Sequence, residues 1–184
     1  MSLSPDEIEA RLALVRRRVR DVPDFPKPGI LFRDITPVLA DRAALAAAID
    51  LHVDKLTDLR HGIDKVVGIE SRGFLFGMAV AARLDAGFVV VRKPGKLPAQ
   101  VIEASYALEY GTDRLQIHAD AIAPGERILV IDDLLATGGT AAAACDLARR
   151  CGGEVVGALF LIELTALGGR SKLPGVRVDA VLAY

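Results

Sequence analysis

RILVIDDLLATGGTA, residues Arg127 to Ala141, decides the fold. Ile128 to Ile131 is an apolar run, β-branched enough to read as a buried strand. Asp132 and Asp133 follow directly. A small-residue loop, Leu134 to Gly139, then leads into an Ala-rich helix over Thr140 to Arg150. A strand that passes through a glycine loop into a helix N-terminus makes an anion site. Free backbone N–H groups and the positive helix end converge there, and glycine lets a phosphate approach the backbone. Open α/β sheets bind ligands at the carboxyl ends of their strands, where the two Asp fall. Carboxylates repel phosphate, so neutral hydroxyls are the better partners for Asp132 and Asp133. Phosphate donors beside paired hydroxyl acceptors point to a sugar phosphate. Each piece also has a plainer reading, Asp-Asp as a solvated turn and Gly-Gly as a helix start. The ordered combination, with Thr137 and Thr140 flanking the glycines, favours the site. The loop holds no Gly-Lys-Ser/Thr and no Gly-x-Gly-x-x-Gly, which excludes a Walker A loop and a dinucleotide fingerprint.

Outward from this stretch the pattern alternates. Lys65 to Ile69 reads as a strand, Gly73 to Leu84 as a helix, and Phe88 to Val91 as a strand. Beyond the central helix, Gly152 is a C-terminal cap, Val155 to Ile162 a buried strand and Arg177 to Leu182 a last one. Strands alternating with helices imply a parallel sheet covered on both faces. At the N-terminus Ser4, Pro5 and Glu7 form a helix start with a capping box, followed by Ile8, Leu12, Val15 and Val19 at helical spacing. Arg16 to Arg20 reads as a solvated helix face. Pro23, Pro26 and Pro28 end that helix. Asp24 to Leu39 is loop-rich and exposes Phe32 and Arg33, and Asp41 caps a second helix. Lys93 to Ala123 interrupts the alternation. Val101 to Tyr110 and Arg114 to His118 form a hairpin around Gly111, Thr112 and Asp113, an excursion of the length used for lids and binding loops.

The 184 residues suit one α/β domain with a real core. A net charge of −1 gives no general attraction to nucleic acid or to a membrane surface. The longest apolar run is too short to span a bilayer, and the charged N-terminus lacks a signal region, so a cytoplasmic enzyme is expected. Cys145 and Cys151 lack metal-site spacing and read as inert, partly buried thiols.

VIDDLLATGGT resembles the phosphoribosyl-diphosphate (PRPP) motif of type I phosphoribosyltransferases, and its wording is similar to the adenine-using branch of that family. The likeness runs from about Asp24 to Tyr184. It implies a central, mostly parallel sheet flanked by helices. A small hood from about residues 1–40 and a mobile lid over about 93–123 complete one domain, 1–184. It implies the reaction of adenine with PRPP to AMP and diphosphate, with Mg²⁺ held mainly by the diphosphate, the ribose and water. Ala136, Thr137, Gly138, Gly139 and Thr140 would bind the 5′-phosphate, and Asp132 and Asp133 the ribose hydroxyls.

Four other segments join the site by the same resemblance. In Glu70-Ser71-Arg72-Gly73, Ser71 and Arg72 would grip the diphosphate. On residues alone, Ser71 is equally a helix cap and Arg72 a solvated side chain. The family often carries a non-proline cis peptide there, which would be Glu70–Ser71. The basic turn Arg92 to Lys96 would reach the neighbouring site of a homodimer through Lys93 and Lys96. Ala104 to Gly111 resembles the catalytic loop: Tyr106 and Tyr110 would cover the site, and Glu109 would stand near the reacting nitrogen. Leu31, Phe32 and Arg33, with Leu164 opposite, would sandwich adenine. Ala99-Gln100 and Ala119 depart from the expected pattern beside the lid. Two other readings fit the motif: transfer to a different purine base, and a PRPP-sensing regulator without catalysis. The regulator would need a DNA-binding module for which this chain has no room.

Overall fold

The computed structural model describes residues 3–59, 62–107 and 112–184. Ser4 caps helix α1 (Pro5–Arg18), and Glu7 closes the capping box by accepting from the Ser4 backbone N–H at 2.9 Å. The chain then forms a two-stranded antiparallel ribbon, β1 (Arg20–Pro23) with β2 (Leu31–Asp34). The proline-rich span between them contains a cis Phe25–Pro26 bond. The loop expected over Asp24 to Leu39 is therefore partly regular. β2 leads into the short helix α2 (Thr36–Ala40), and Asp34 fixes the corner. Its carboxylate accepts from the Thr36 backbone N–H at 2.8 Å and pairs with Arg20. Arg20 belongs to the ribbon and not to the helix face.

Helix α3 (Arg42–Lys55) is capped by Asp41, whose side chain accepts from the N–H groups of Ala43 and Ala44. The remaining elements alternate. They are β3 (Lys65–Ile69), α4 (Gly73–Leu84), β4 (Gly87–Val91), the hairpin β5 (Val101–Ala107) with β6 (Thr112–His118), β7 (Arg127–Leu135), α5 (Gly139–Arg150), β8 (Glu154–Glu163) and β9 (Val178–Ala183). Five strands form one sheet in the order β4-β3-β7-β8-β9, every pairing parallel.

Alternation along the strands divides the core between two faces. Val66, Leu129 and Ile131 pack with residues of α1, α3 and α4. Val67, Ile128 and Val130 pack with α5 and with Ala104, Leu115 and Ile117 of the hairpin. The hairpin is stitched to the end of β4 by reciprocal backbone bonds between Arg92 and Gln116. Among the described residues no helix is long and apolar enough to cross a membrane.

Candidate active site

β3 and β7 are neighbours, but the chain leaves β3 toward β4 on one side and β7 toward β8 on the other. Crossovers that diverge from adjacent parallel strands leave a crevice at their carboxyl ends, where open sheets take ligands. Helices α4 and α5 both begin at this crevice, and among the described residues no side chain caps either N-terminus. Two sets of backbone N–H groups and two positive helix ends therefore face one space. Gly73 permits the close approach: a β-carbon on it would lie 2.8 Å from the Ile131 carbonyl oxygen and 2.9 Å from the Asp132 carboxylate.

The crevice encloses about 360 Å³ and is lined by Glu70, Ser71, Arg72, Lys93, Tyr106, Leu115 and the run Asp132 to Ala141. Both carboxylates lie inside β7, which the sequence suggests ends at Ile131. The strand continues because Asp132, Leu134 and Leu135 pair with Phe160, Ile162 and Glu163 of β8, which overrides the poor strand preference of Asp. Asp133 is buried and bonded to Arg72 Nε at 2.6 Å. Among the described residues no cation pairs directly with Asp132, and the Arg72 charge acts on it only weakly. Withdrawal from water, and then the Asp133 charge beside it, push its carboxyl well above the usual carboxylate range.

Gly138 takes φ +83°, open to glycine at no steric cost, and starts α5. Behind it runs a pair of 3₁₀ turns, Thr165–Leu167 and Gly169–Lys172. Arg170 anchors them through two bonds to the buried Glu163 carboxylate, at 2.7 and 2.6 Å. The Glu70–Ser71 peptide is cis.

Two residues with no role assigned from sequence, Glu70 and Asp113, organise the cationic wall. Glu70 accepts from Arg92 Nε at 3.2 Å and from the Lys93 backbone N–H at 3.0 Å, tying the end of β3 to the basic turn. Burial works against its charge, but these donors prevail and hold its carboxyl below the ordinary range. Lys93 Nζ donates to the Tyr106 hydroxyl at 3.1 Å and to the Asp113 carboxylate. Lys93 thus lines the cavity of its own chain, whereas Lys96 is exposed and off the lining. Pairings of this kind, like Glu163 with Arg170, join residues with no shared motif, so local sequence carries little sign of them.

The segments expected at the base flank the cavity without lining it. Phe32 lies with its ring centroid 5.7 Å from the Arg72 guanidinium and meets Phe25 edge-on at 5.1 Å. Leu31 is exposed, and Arg33 stands 4.0 Å over the Tyr184 ring while pairing with Asp21. Leu164 is held beside the cavity by its backbone bond to Leu135, 2.9 Å. Glu109 and Tyr110 lie outside the described residues.

Residues 35–179 match the family described as the phosphoribosyl transferase domain. An adenine phosphoribosyltransferase of Acidothermus cellulolyticus is 56% identical over 170 residues, 92% of this chain and 94% of that one. The crystal structure of an adenine phosphoribosyltransferase from Rhodothermus marinus superposes with a TM-score of 0.89 at 54% identity, covering 96% of this chain and 99% of that one. The Saccharomyces cerevisiae adenine phosphoribosyltransferase, solved with an imino-altritol bisphosphate and adenine, gives 0.91 at 39% identity, covering 95% and 99%. The family match begins at Ile35 and so leaves out Leu31, Phe32 and Arg33.

Proposed function

The chain belongs to the phosphoribosyltransferase family, and we propose how its residues share the work of the adenine reaction. It transfers the 5-phosphoribosyl group of PRPP to adenine, giving AMP and diphosphate. One observation carries the division of labour: a polar cavity holds two uncapped helix N-termini with two carboxylates between them.

In this reading the α5 loop, Ala136 to Thr140, binds the 5′-phosphate. Asp132 and Asp133 accept from the 2′- and 3′-hydroxyls of ribose, and a carboxylate beneath the ring also favours the positive charge that develops as the C1–O bond breaks. Ser71, Arg72 and Lys93 face the departing diphosphate. Lys96, exposed on the same turn, serves the site of a second copy of the chain in a homodimer. Phe32 of the β1–β2 hood stacks on adenine, backbone groups of Leu31 and Arg33 read its edge, and Leu164 packs on the other face. Tyr106 and Tyr110 cover the site and keep water from PRPP. Glu109 takes the proton from adenine as N9 attacks C1.

Mg²⁺ comes with PRPP. The described residues hold no cluster of three or more His, Cys, Asp or Glu, and magnesium held by one or two carboxylates, substrate oxygens and water suits such a site. Bound there, it would neutralise diphosphate charge, while Asp132 and Asp133 remain assigned to the ribose hydroxyls. The free thiols of Cys145 and Cys151 support a cytoplasmic location.

Initial rates with PRPP, Mg²⁺ and one base at a time test the reading. Adenine alone is expected to release diphosphate at speed. Preferred turnover of hypoxanthine, guanine or xanthine would overturn the base assignment.

A further inference from the structure

Among the described residues, Lys93 is the one cation of the cavity wall that the β5–β6 hairpin also holds. Its ammonium contacts the Asp113 carboxylate and the Tyr106 hydroxyl, and Tyr106 donates to the same Asp113 oxygen at 3.1 Å. Tyr106 and Lys93 line the cavity, while Asp113 stands behind them and off its lining. The three groups close a triangle in which one carboxylate serves two donors. The side chains of Lys93 and Asp113 are 39% and 31% exposed, so water competes for the pair and the contact is exchangeable.

We propose that Asp113 is an internal anion that competes with the diphosphate group for Lys93 and so sets how tightly the enzyme holds diphosphate. The inference rests on the assignment of Lys93 to diphosphate. An ammonium has three donors, and Asp113 and Tyr106 engage two of them. An incoming diphosphate bears several negative charges and outbids a single carboxylate for the ammonium. Asp113 nevertheless reduces the net attraction of the turn, because the contact to Lys93 must be exchanged on binding. The same carboxylate reclaims Lys93 when diphosphate departs, which favours release of the product. Arg72 has its own internal anion in buried Asp133, but Asp133 lines the cavity and is committed to ribose in the reading above. Asp113 stands off the cavity lining, and among the described residues its remaining partner is the backbone N–H of Arg114, at 2.7 Å.

The test is calorimetric binding of magnesium diphosphate to the wild type, Asp113→Asn, Lys93→Ala and the double variant. Asp113→Asn keeps the shape and removes the charge. It should bind diphosphate about threefold to tenfold more tightly, the range of a half-exposed, charge-assisted pair. Lys93→Ala should bind more weakly, and in that background Asp113→Asn should change affinity much less. Asp113→Ser, expected to act in the same direction, guards against a fault peculiar to the amide. Equal or weaker binding by both Asp113 variants, with Lys93→Ala still impaired, overturns the competition and leaves the Lys93 assignment standing. Unchanged affinity in Lys93→Ala removes the assignment itself, and the inference with it.

Discussion

A β-carbon on Gly138 would stand 2.3 Å from the carbonyl oxygen of Gly169. The side of Gly138 that must stay bare therefore faces the 3₁₀ turn behind the loop, not the cavity. Gly169 is bare for the reciprocal reason, since its own β-carbon would lie 2.3 Å from the carbonyl oxygen of Ala136. The loop that starts α5 is pressed against a second backbone, and Glu163 with Arg170 holds that backbone in place.

Gly138→Ala and Gly169→Ala should consequently share a phenotype, although only Gly138 belongs to the loop. The first adds left-handed strain of about 1–3 kcal/mol to the clash, and the second clashes alone. Both should weaken AMP binding by about tenfold or more, near 1.4 kcal/mol, by shifting the N–H groups assigned above to the phosphate. Calorimetry with AMP measures this. Wild-type affinity in Gly169→Ala would show that the turn does not hold the loop in position.

Asp132 carries a second testable cost. A carboxyl whose pKa is raised in the folded state is relatively favoured when protonated. Its contribution is present below the unfolded carboxylate range and is lost as pH rises through the raised value. Asp132→Asn should therefore stabilise the ligand-free protein at pH 8, and the gain should shrink as the pH is lowered. Affinity for PRPP should fall in the same variant. Urea midpoints for both proteins across that range decide it; a gain that grows toward acid would contradict the raised pKa.

His52 should dominate the acid side of the stability profile. It is fully buried and stacked on Phe76 with centroids 5.2 Å apart. Nδ1 lies 2.7 Å from the Ala48 carbonyl oxygen, and Nε2 has no partner among the described residues. Burial lowers its pKa to about 4, against the opposing effect of the Ala48 bond. The unfolded chain takes up the proton near 6.5, so the stabilising term is intact above that pH and is lost as pH falls toward 4. By pH 5 the loss is about 2 kcal/mol. His52→Leu removes the titration, and its unfolding free energy should decline less between pH 7.5 and 5. Parallel declines in the two proteins would rule His52 out.

The elements legible in the sequence are those whose signal is local. Lys65–Ile69 and Gly73–Leu84 have the bounds that their apolar runs predict, because buried parallel strands and the helix following each are continuous in sequence. The PRPP-like stretch was readable for the same reason, since one strand, loop and helix start hold most of the cavity. Three features escaped because their causes are distant. β2 exists only by pairing with β1 across a proline-rich span, β7 runs past Ile131 only because β8 continues beside it, and Asp113 meets Lys93 only when the hairpin folds back on the basic turn.

The last prediction concerns Glu109, placed near the reacting nitrogen by family resemblance. Tyr106, three residues earlier, lines the cavity. Adenine attacks through N9, and the neutral base carries a ring proton that must leave during transfer. A positioned carboxylate as acceptor is worth about 10²–10⁴-fold in rate. Glu109→Gln keeps size and most hydrogen bonding but cannot accept that proton, so kcat should fall severely while PRPP affinity holds. The pH dependence separates Glu109 from Asp132, whose carboxyl, raised in pKa, must also lose its proton as pH rises. Groups of the free enzyme, Asp132 among them, govern kcat/KM for PRPP, whereas a base acting in the ternary complex governs kcat. Glu109→Gln should therefore lose the acidic limb of kcat and keep that of kcat/KM. Near-normal kcat in this variant, with chemistry shown to be rate-limiting, would make Glu109 a covering residue and send the proton to water or another group.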